Sequence, residues 1–197
     1  MGETTILIVD DESAVTDVYA AHLESEYVVR TAYDGSEALE KLDGDIDAVL
    51  LDRRMPGMSG DEVLSHIREE EYDVRVAMVT AVDPDFDILD MGFDDYVVKP
   101  VSRDELFETV DRLLTYSTYD DTFQEYFSLV SKRAALETSK SQSALETNEE
   151  YHDLTDRIEE LEGDLDEAVT GLEDEEFGGL FRMPEPDFDS IDSTSQP

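Results

Sequence analysis

Five short apolar runs constrain this chain more than any other feature, because each is too short for a helix and each stops at a polar residue. They are Thr5 to Val9, Tyr27 to Ala32, Ala48 to Leu51, Val74 to Val79 and Asp95 to Val98. Runs of this length, rich in β-branched side chains and bounded by turn residues, read as strands; those apolar at every position read as strands buried on both faces. Helical periods lie between and after them. These are Val15, Val18, Tyr19 and Leu23; Ala38, Leu39 and Leu42; Val63, Leu64 and Ile67; a short segment of about Asp85 to Met91; and Leu106, Phe107, Val110, Leu113 and Leu114. Three of the helices open on an N-cap residue with Glu three positions later, at Asp34 and Glu37, Ser59 and Glu62, and Ser102 and Glu105. Strand and helix alternate in this way up to Tyr116, which predicts a doubly wound α/β domain with a five-stranded parallel sheet covered on both faces.

In such a sheet the C-terminal ends of all strands share one edge, and ligands bind there. The residues that reach it are Asp10 and Asp11 after the first run, Asp52 after the third, Thr80 after the fourth and Lys99 after the fifth. Three clustered carboxylates repel and desolvate one another. A hard divalent cation with oxygen ligands, Mg²⁺ above all, relieves that conflict and leaves room for phosphoryl oxygens. Lys99 supplies an ammonium and Thr80 a hydroxyl for the same group, so the set suits phosphoryl transfer by positioning and electrostatics. Asp52, central in the sheet, is the best-placed nucleophile. The competing reading is a plain solvated edge in an acidic chain, but acidity does not account for a Thr and a Lys-Pro at the matching ends. A phosphatase with an Asp nucleophile would want a second acid two residues on, where Arg54 stands. Nucleotide binding would want a glycine-rich loop after the first strand, and none follows it.

Charge and composition narrow the setting. The formal net charge is −39, and both halves share it: 30 acidic and 9 basic residues up to Tyr116, then 23 and 5. Self-repulsion on that scale is tolerable where the Debye length shrinks to about 3 Å, near 1 M salt. The expectation is adaptation to a salt-rich cytoplasm, to be checked by unfolding the protein against KCl; a protein most stable without salt would refute it. Phosphate contacts draw on Lys and Arg, so direct DNA binding is disfavoured. The absence of cysteine rules out disulfides, and His22, His66 and His152 are too scattered for a zinc site. With no leader pattern and no apolar stretch near the roughly 20 residues a membrane helix needs, a soluble, cytoplasmic protein is expected.

Residues 4 to about 116 resemble the receiver domain of two-component response regulators. The resemblance rests on Asp10-Asp11, Asp52 in Leu-Leu-Asp-Arg-Arg-Met-Pro-Gly, Thr80-Ala81, and Asp95-Tyr96-Val97-Val98-Lys99-Pro100, all in order. It implies the strand order 2-1-3-4-5 and a phosphoryl transfer from a sensor histidine kinase to Asp52. It implies Mg²⁺ held by Asp11 and Asp52 directly, by Asp10 through water and by the backbone carbonyl of Arg54. Thr80 and Tyr96 would form the switch pair, with Thr80 drawn to the phosphoryl group and Tyr96 turning inward. A cis peptide is expected at Lys99-Pro100. Such a domain assists its own phosphorylation and dephosphorylation without being a conventional enzyme. The segment between Thr80 and Lys99 is a few residues shorter than is common in the family. A short or irregular fourth helix is therefore expected, with consequences for the face where partners usually bind.

Beyond this receiver (residues 1–116) the pattern changes. Tyr119, Phe123, Phe127 (or Tyr126), Val130 and Ala134 keep a helical period, Thr138 to Ser143 is a polar break, and Leu154, Ile158, Leu161, Leu165, Ala168 and Leu172 form a helix-packing seam. Residues 117–175 thus read as a helical hairpin or coiled coil, within one chain or in a homodimer. They resemble the HalX domain of haloarchaeal response regulators. Residues 176–197, apart from Phe177 to Phe181, read as a largely disordered acidic tail. Arg53 and Arg54 either steer a phosphorylated partner or balance neighbouring acids. Two functions follow as alternatives. One is a phosphorylation switch that signals through the helical tail to a downstream protein of unknown identity. The other is a constitutive dimerisation or scaffold protein built on an inert receiver-like domain.

Overall fold

The computed structural model describes residues 4–70, 72–116 and 121–171. Five strands, β1 (Thr5–Val9), β2 (Val28–Ala32), β3 (Ala48–Leu51), β4 (Arg75–Thr80) and β5 (Asp95–Val98), form one sheet. Its order is β2-β1-β3-β4-β5, and all four pairings are parallel. The order and direction expected from the sequence are those observed.

The connecting helices are α1 (Ser13–Leu23), α2 (Gly35–Lys41) and α3 (Gly60–Glu69), and α4 (Arg103–Tyr116) follows β5. At α3 the Ser59 and Glu62 pair closes a reciprocal capping box, and Ser102 with Glu105 does the same ahead of α4. At α2 the bonding differs. Asp34 accepts from the Glu37 N–H at 2.8 Å, but the Glu37 carboxylate reaches one residue further back, to the Tyr33 N–H.

Strand pleating divides the core by parity. Ile6, Ile8, Ala48, Leu50, Ala77 and Val79 face α1 and α4, packing with Tyr19, Leu23, Leu106, Val110 and Leu113. Leu7, Val9, Val49, Leu51, Val76 and Met78 face the other way, toward Ala38, Val63, Leu64 and Ile67 of α2 and α3. Every residue of β3 is 1 % exposed or less, so Asp52 follows the most enclosed strand of the sheet.

The fourth crossover is where this chain departs from a fully regular doubly wound fold. Only a 3₁₀ helix, Phe86–Asp90, lies between β4 and β5. Five residues at about 2 Å rise cover roughly 10 Å, too little to blanket the face left by β4 and β5. The rest of the cover comes from beyond Tyr116. Helix α5 (Asp121–Ser139) lies against β5 and the 3₁₀ helix, and its Leu136, fully buried, belongs to the same apolar cluster as Met78, Ile88, Phe93 and Tyr96. A short α6 (Gln142–Leu145) adds Leu145 to that cluster. Helix α7 (Glu149–Gly171) then returns along α5: Tyr151 Oη donates to Glu137 at 2.8 Å, Arg157 forks onto Glu125 at 2.8 and 3.0 Å, and Tyr126 Oη donates to Glu162 at 3.0 Å. The seam residues Leu154, Ile158 and Leu161 are buried, so the tail forms a hairpin within the chain.

One compact unit extends to Glu162 and a second begins at Gly163. The expected acidic tail of residues 176–197, with Phe177 to Phe181, lies outside the described residues. Among the described residues no helix is long and apolar enough to cross a membrane.

Candidate functional site

The β1, β3, β4 and β5 ends bring the expected polar residues together. Asp10 follows β1 and is 4 % exposed; its Oδ1 accepts the Glu12 N–H at 2.9 Å, which fixes the carboxylate at the start of the turn into α1. Asp11, next to it, is exposed. Asp52 follows β3, is 6 % exposed, and accepts the Arg54 N–H on Oδ2 at 3.0 Å. One oxygen from each of these three carboxylates falls within 4.8 Å of the others.

Lys99 provides the counter-charge. Its Nζ lies 2.5 Å from Asp10 Oδ2 and 3.1 Å from Asp52 Oδ1, so one ammonium bridges two of the three acids. Burial alone would lower its pKa, but the Asp10 hydrogen bond and the charges of Asp52 and Asp10 outweigh burial and raise it. Lys99 is therefore a fixed cation here. The expected cis peptide follows it at Pro100, and its backbone N–H is tied to the Thr80 carbonyl at 2.8 Å. With three carboxylates and one ammonium, the cluster keeps an excess of negative charge and several unused oxygen lone pairs. That donor set fits a hard cation such as Mg²⁺.

Thr80 closes β4 and is 1 % exposed; its Oγ1 accepts from the Val82 N–H only at 3.4 Å, the long limit of a hydrogen bond. Tyr96 lies on β5, two strand-ends from Asp52, with its ring 5.5 Å from that of Phe93 and its hydroxyl donating to the Val82 carbonyl at 2.8 Å. Burial raises the Tyr96 pKa, against the opposing effect of Arg53. Thr80 and Tyr96 are thus linked through the two backbone groups of one residue.

A glycine sets the depth of the site. Gly60 opens α3 directly beneath the Asp52 strand end, where a Cβ would stand 2.1 Å from the Asp52 carbonyl oxygen. Any side chain there would push α3 away from the Asp52 turn.

The two arginines after Asp52 part company. Arg54 is exposed, whereas the Arg53 side chain is 9 % exposed and turned inward. It binds both Asp61 oxygens on α3, at 3.0 Å and 3.2 Å from Nε, and also Asp87 of the 3₁₀ helix. Burial would depress its pKa, but the Asp61 and Asp87 bonds raise it. Of the two roles the sequence left open for Arg53, balancing acids is the one observed. No spacing rule pairs residues 34 apart, so Asp87 was out of reach of sequence reasoning.

Comparison with known proteins matches both parts of the chain to described families. The family model described as response regulator receiver domain matches residues 6–111, and the HalX domain model matches residues 115–181. The chain is 46 % identical over 172 residues to a proposed transcriptional regulator of Haloferax volcanii, covering 87 % of this chain but 29 % of that protein. It is 37 % identical over 116 residues to the response regulator SaeR of Staphylococcus aureus, covering 57 % of this chain and 51 % of SaeR. It thus spans about half or less of these relatives. Among solved structures, a CheY-like receiver domain protein of Methanospirillum hungatei superposes with a TM-score of 0.56 at 30 % identity, over 59 % of this chain and 98 % of that one. The response regulator TrrA of Thermotoga maritima, solved in complex with Mg²⁺ and BeF, gives 0.51 at 40 % identity, over 56 % and 99 %.

Proposed function

This chain belongs to the response regulator receiver family, and on that premise we propose that Asp52 takes a phosphoryl group from a sensor histidine kinase and so switches the contacts of the helical tail. The observation that carries this reading is Lys99 Nζ bridging Asp10 and Asp52, at a sheet edge where three carboxylates converge. An inert scaffold has no use for that arrangement.

An Asp52 carboxylate oxygen attacks phosphorus. The new O–P bond forms as the P–N bond of the kinase phosphohistidine breaks, and the electron pair stays on the imidazole nitrogen. Lys99, already protonated and held, pairs with the negative oxygens of the transferring group, and the loosely engaged Thr80 hydroxyl turns to donate to one of them. The Arg54 N–H on Oδ2 orients the Asp52 carboxylate. Asp10, Asp11, Asp52 and the Arg54 carbonyl would hold Mg²⁺, which when bound neutralises the acids and the incoming phosphoryl. In-line attack of water on phosphorus then forms a new O–P bond as the Asp52 O–P bond breaks; inorganic phosphate leaves and the electron pair returns to the Asp52 carboxylate, so the domain assists its own turnover without acting on a separate substrate. The downstream partner is a protein, because this chain carries too few cations for direct contact with DNA.

The test uses acetyl phosphate and Mg²⁺ in molar KCl, followed by intact mass. One added phosphoryl group is expected, with none in EDTA, and borohydride reduction should convert Asp52 to homoserine. A phosphoryl group found at another residue, or uptake indifferent to EDTA, would remove Asp52 and the metal from their roles.

A further inference from the structure

The segment after Thr80 is held from two sides. From the sheet edge, the Thr80 hydroxyl meets the Val82 N–H, the Tyr96 hydroxyl meets the Val82 carbonyl, and Arg53, adjacent to Asp52, ties Asp61 to Asp87. From the tail, five side chains of α5 and its C-terminal flank reach across to this segment and to β5. Ser128 Oγ donates to the Phe93 carbonyl at 2.7 Å and Ser131 Oγ to Asp95 Oδ1 at 2.7 Å. Lys132 Nζ donates to the Leu89 carbonyl at 3.0 Å, Ser139 Oγ to the Pro84 carbonyl at 2.9 Å, and Lys140 pairs with Asp85 at 2.9 Å. All donors are on the tail and all acceptors on the receiver.

From these contacts we infer that the first partner of the switch is this chain's own α5: loading Asp52 with phosphoryl loosens residues 121–139 by pulling on the 3₁₀ helix through Arg53–Asp87 and Thr80–Val82–Tyr96. The inference deepens the reading of Asp52 as phosphoryl acceptor and rests on it. Its physical basis is a competition. A phosphoryl group brings about −1.5 to −2 charges and three strong acceptors to the residue beside Arg53 and close to a Thr80 hydroxyl that is weakly engaged. A shift of the Asp52–Arg53 turn around the new group displaces the Arg53 side chain from Asp87, and turning the Thr80 hydroxyl toward the phosphoryl takes the acceptor from Val82. Both moves disturb the segment on which α5 rests.

Lys132 makes α5 sensitive to that disturbance. It is 6 % exposed, burial lowers its pKa, and the Leu89 carbonyl two residues after Asp87 accepts its hydrogen bond, with the Phe93 ring 5.4 Å away. A buried ammonium is strongly penalised when its acceptor moves. A cleft of about 790 Å³ between α4 and α5, floored by Tyr96, Val97 and Val98, gives α5 room to shift.

Hydrogen–deuterium exchange of the full chain in molar KCl and Mg²⁺, with and without acetyl phosphate, tests this, with intact mass reporting the loading of each sample. Loading is expected to speed exchange in residues 121–139 about tenfold, within the usual range of coupling between sites, while β1 amides stay unchanged. Asp87→Asn leaves Arg53 on Asp61; it should accept phosphoryl normally, exchange faster in α5 before loading, and show little further change on loading. The inference is overturned if α5 exchange is unchanged in fully loaded wild-type protein, if β1 (Thr5–Val9) speeds up equally, or if Asp87→Asn keeps the full response. Absence of any mass gain would instead bring down the acceptor reading itself, and this inference with it.

Discussion

Replacing Asp52 by Asn is expected to abolish phosphoryl uptake and at the same time to stabilise the metal-free protein, by roughly 1–2 kcal/mol. The two effects share one cause. At an effective dielectric of about 20, two charges 4.8 Å apart repel by about 3.5 kcal/mol, and Asp52 feels two such carboxylates; its attraction to Lys99 at 3.1 Å offsets about 5 kcal/mol of this. Burial of a carboxylate that is 6 % exposed adds to the unfavourable side. Asn removes the charge while keeping the acceptor for the Arg54 N–H, and the Lys99–Asp10 pair remains. Chemical unfolding in molar KCl with EDTA measures the gain, and Mg²⁺ should stabilise the variant less than the wild type because a ligand is gone. An Asp52→Asn protein less stable than wild type without metal would contradict the charge argument.

Lys99→Met is the opposite case, with both bridged acids left facing each other and an expected loss of about 3–5 kcal/mol. The pH dependence has a definite sign. The pKa of Lys99 is raised in the fold, so its contribution is complete below the lysine value of 10.5 and is lost as pH climbs through the raised one. Lys99→Met should abolish that alkaline loss.

The sheet and its polar edge could be read from the sequence because both follow from local rules. Ile6 to Val9 and Val49 to Leu51 are apolar on both parities, which only a doubly covered strand satisfies, and parallel strands deliver Asp10, Asp52, Thr80 and Lys99 to one edge without long-range information. The docking of α5 followed no such rule. The apolar period of Phe123, Phe127, Val130 and Ala134 suggests a contact stripe, yet Ala134 is exposed and the face against the receiver runs through Ser128, Lys132 and Leu136, with Ser131, Ala135 and Ser139 beside it. Ser128, Lys132 and Ser139, at spacings of four and seven, read as a solvated helix face. They turn to the receiver, Lys132 becoming buried, because the 3₁₀ helix and its flanks leave backbone carbonyls at Leu89, Phe93 and Pro84 in need of donors, a demand that resides in another part of the chain. The shortened segment between Thr80 and Lys99 was the visible half of this arrangement.

If α5 completes the receiver's core, Leu136→Ala should destabilise the whole compact unit, by about 3 kcal/mol within the 2–5 kcal/mol usual for such truncations. Leu136 has no exposed surface, and its neighbours in the cluster, Ile88, Phe93, Tyr96 and Met78, all come from the receiver. The cavity left by Ala cannot close easily, since β4 and β5 are fixed in the sheet and Ser128 and Lys132 pin α5 one and two turns away. Val18→Ala on α1, at a position 51 % exposed, should cost less than about 0.5 kcal/mol and serves as the reference. The measurement is denaturant unfolding in molar KCl, followed by far-ultraviolet dichroism and by tyrosine fluorescence. Coincident transitions, both shifted by Leu136→Ala, are expected. Were the receiver and the tail separate folding units, the substitution would move only a helical transition and leave that of the sheet in place. That outcome would also undercut the route from Asp52 to α5, because a helix that does not share the receiver's cooperativity has no means of sensing a phosphoryl group beyond the sheet.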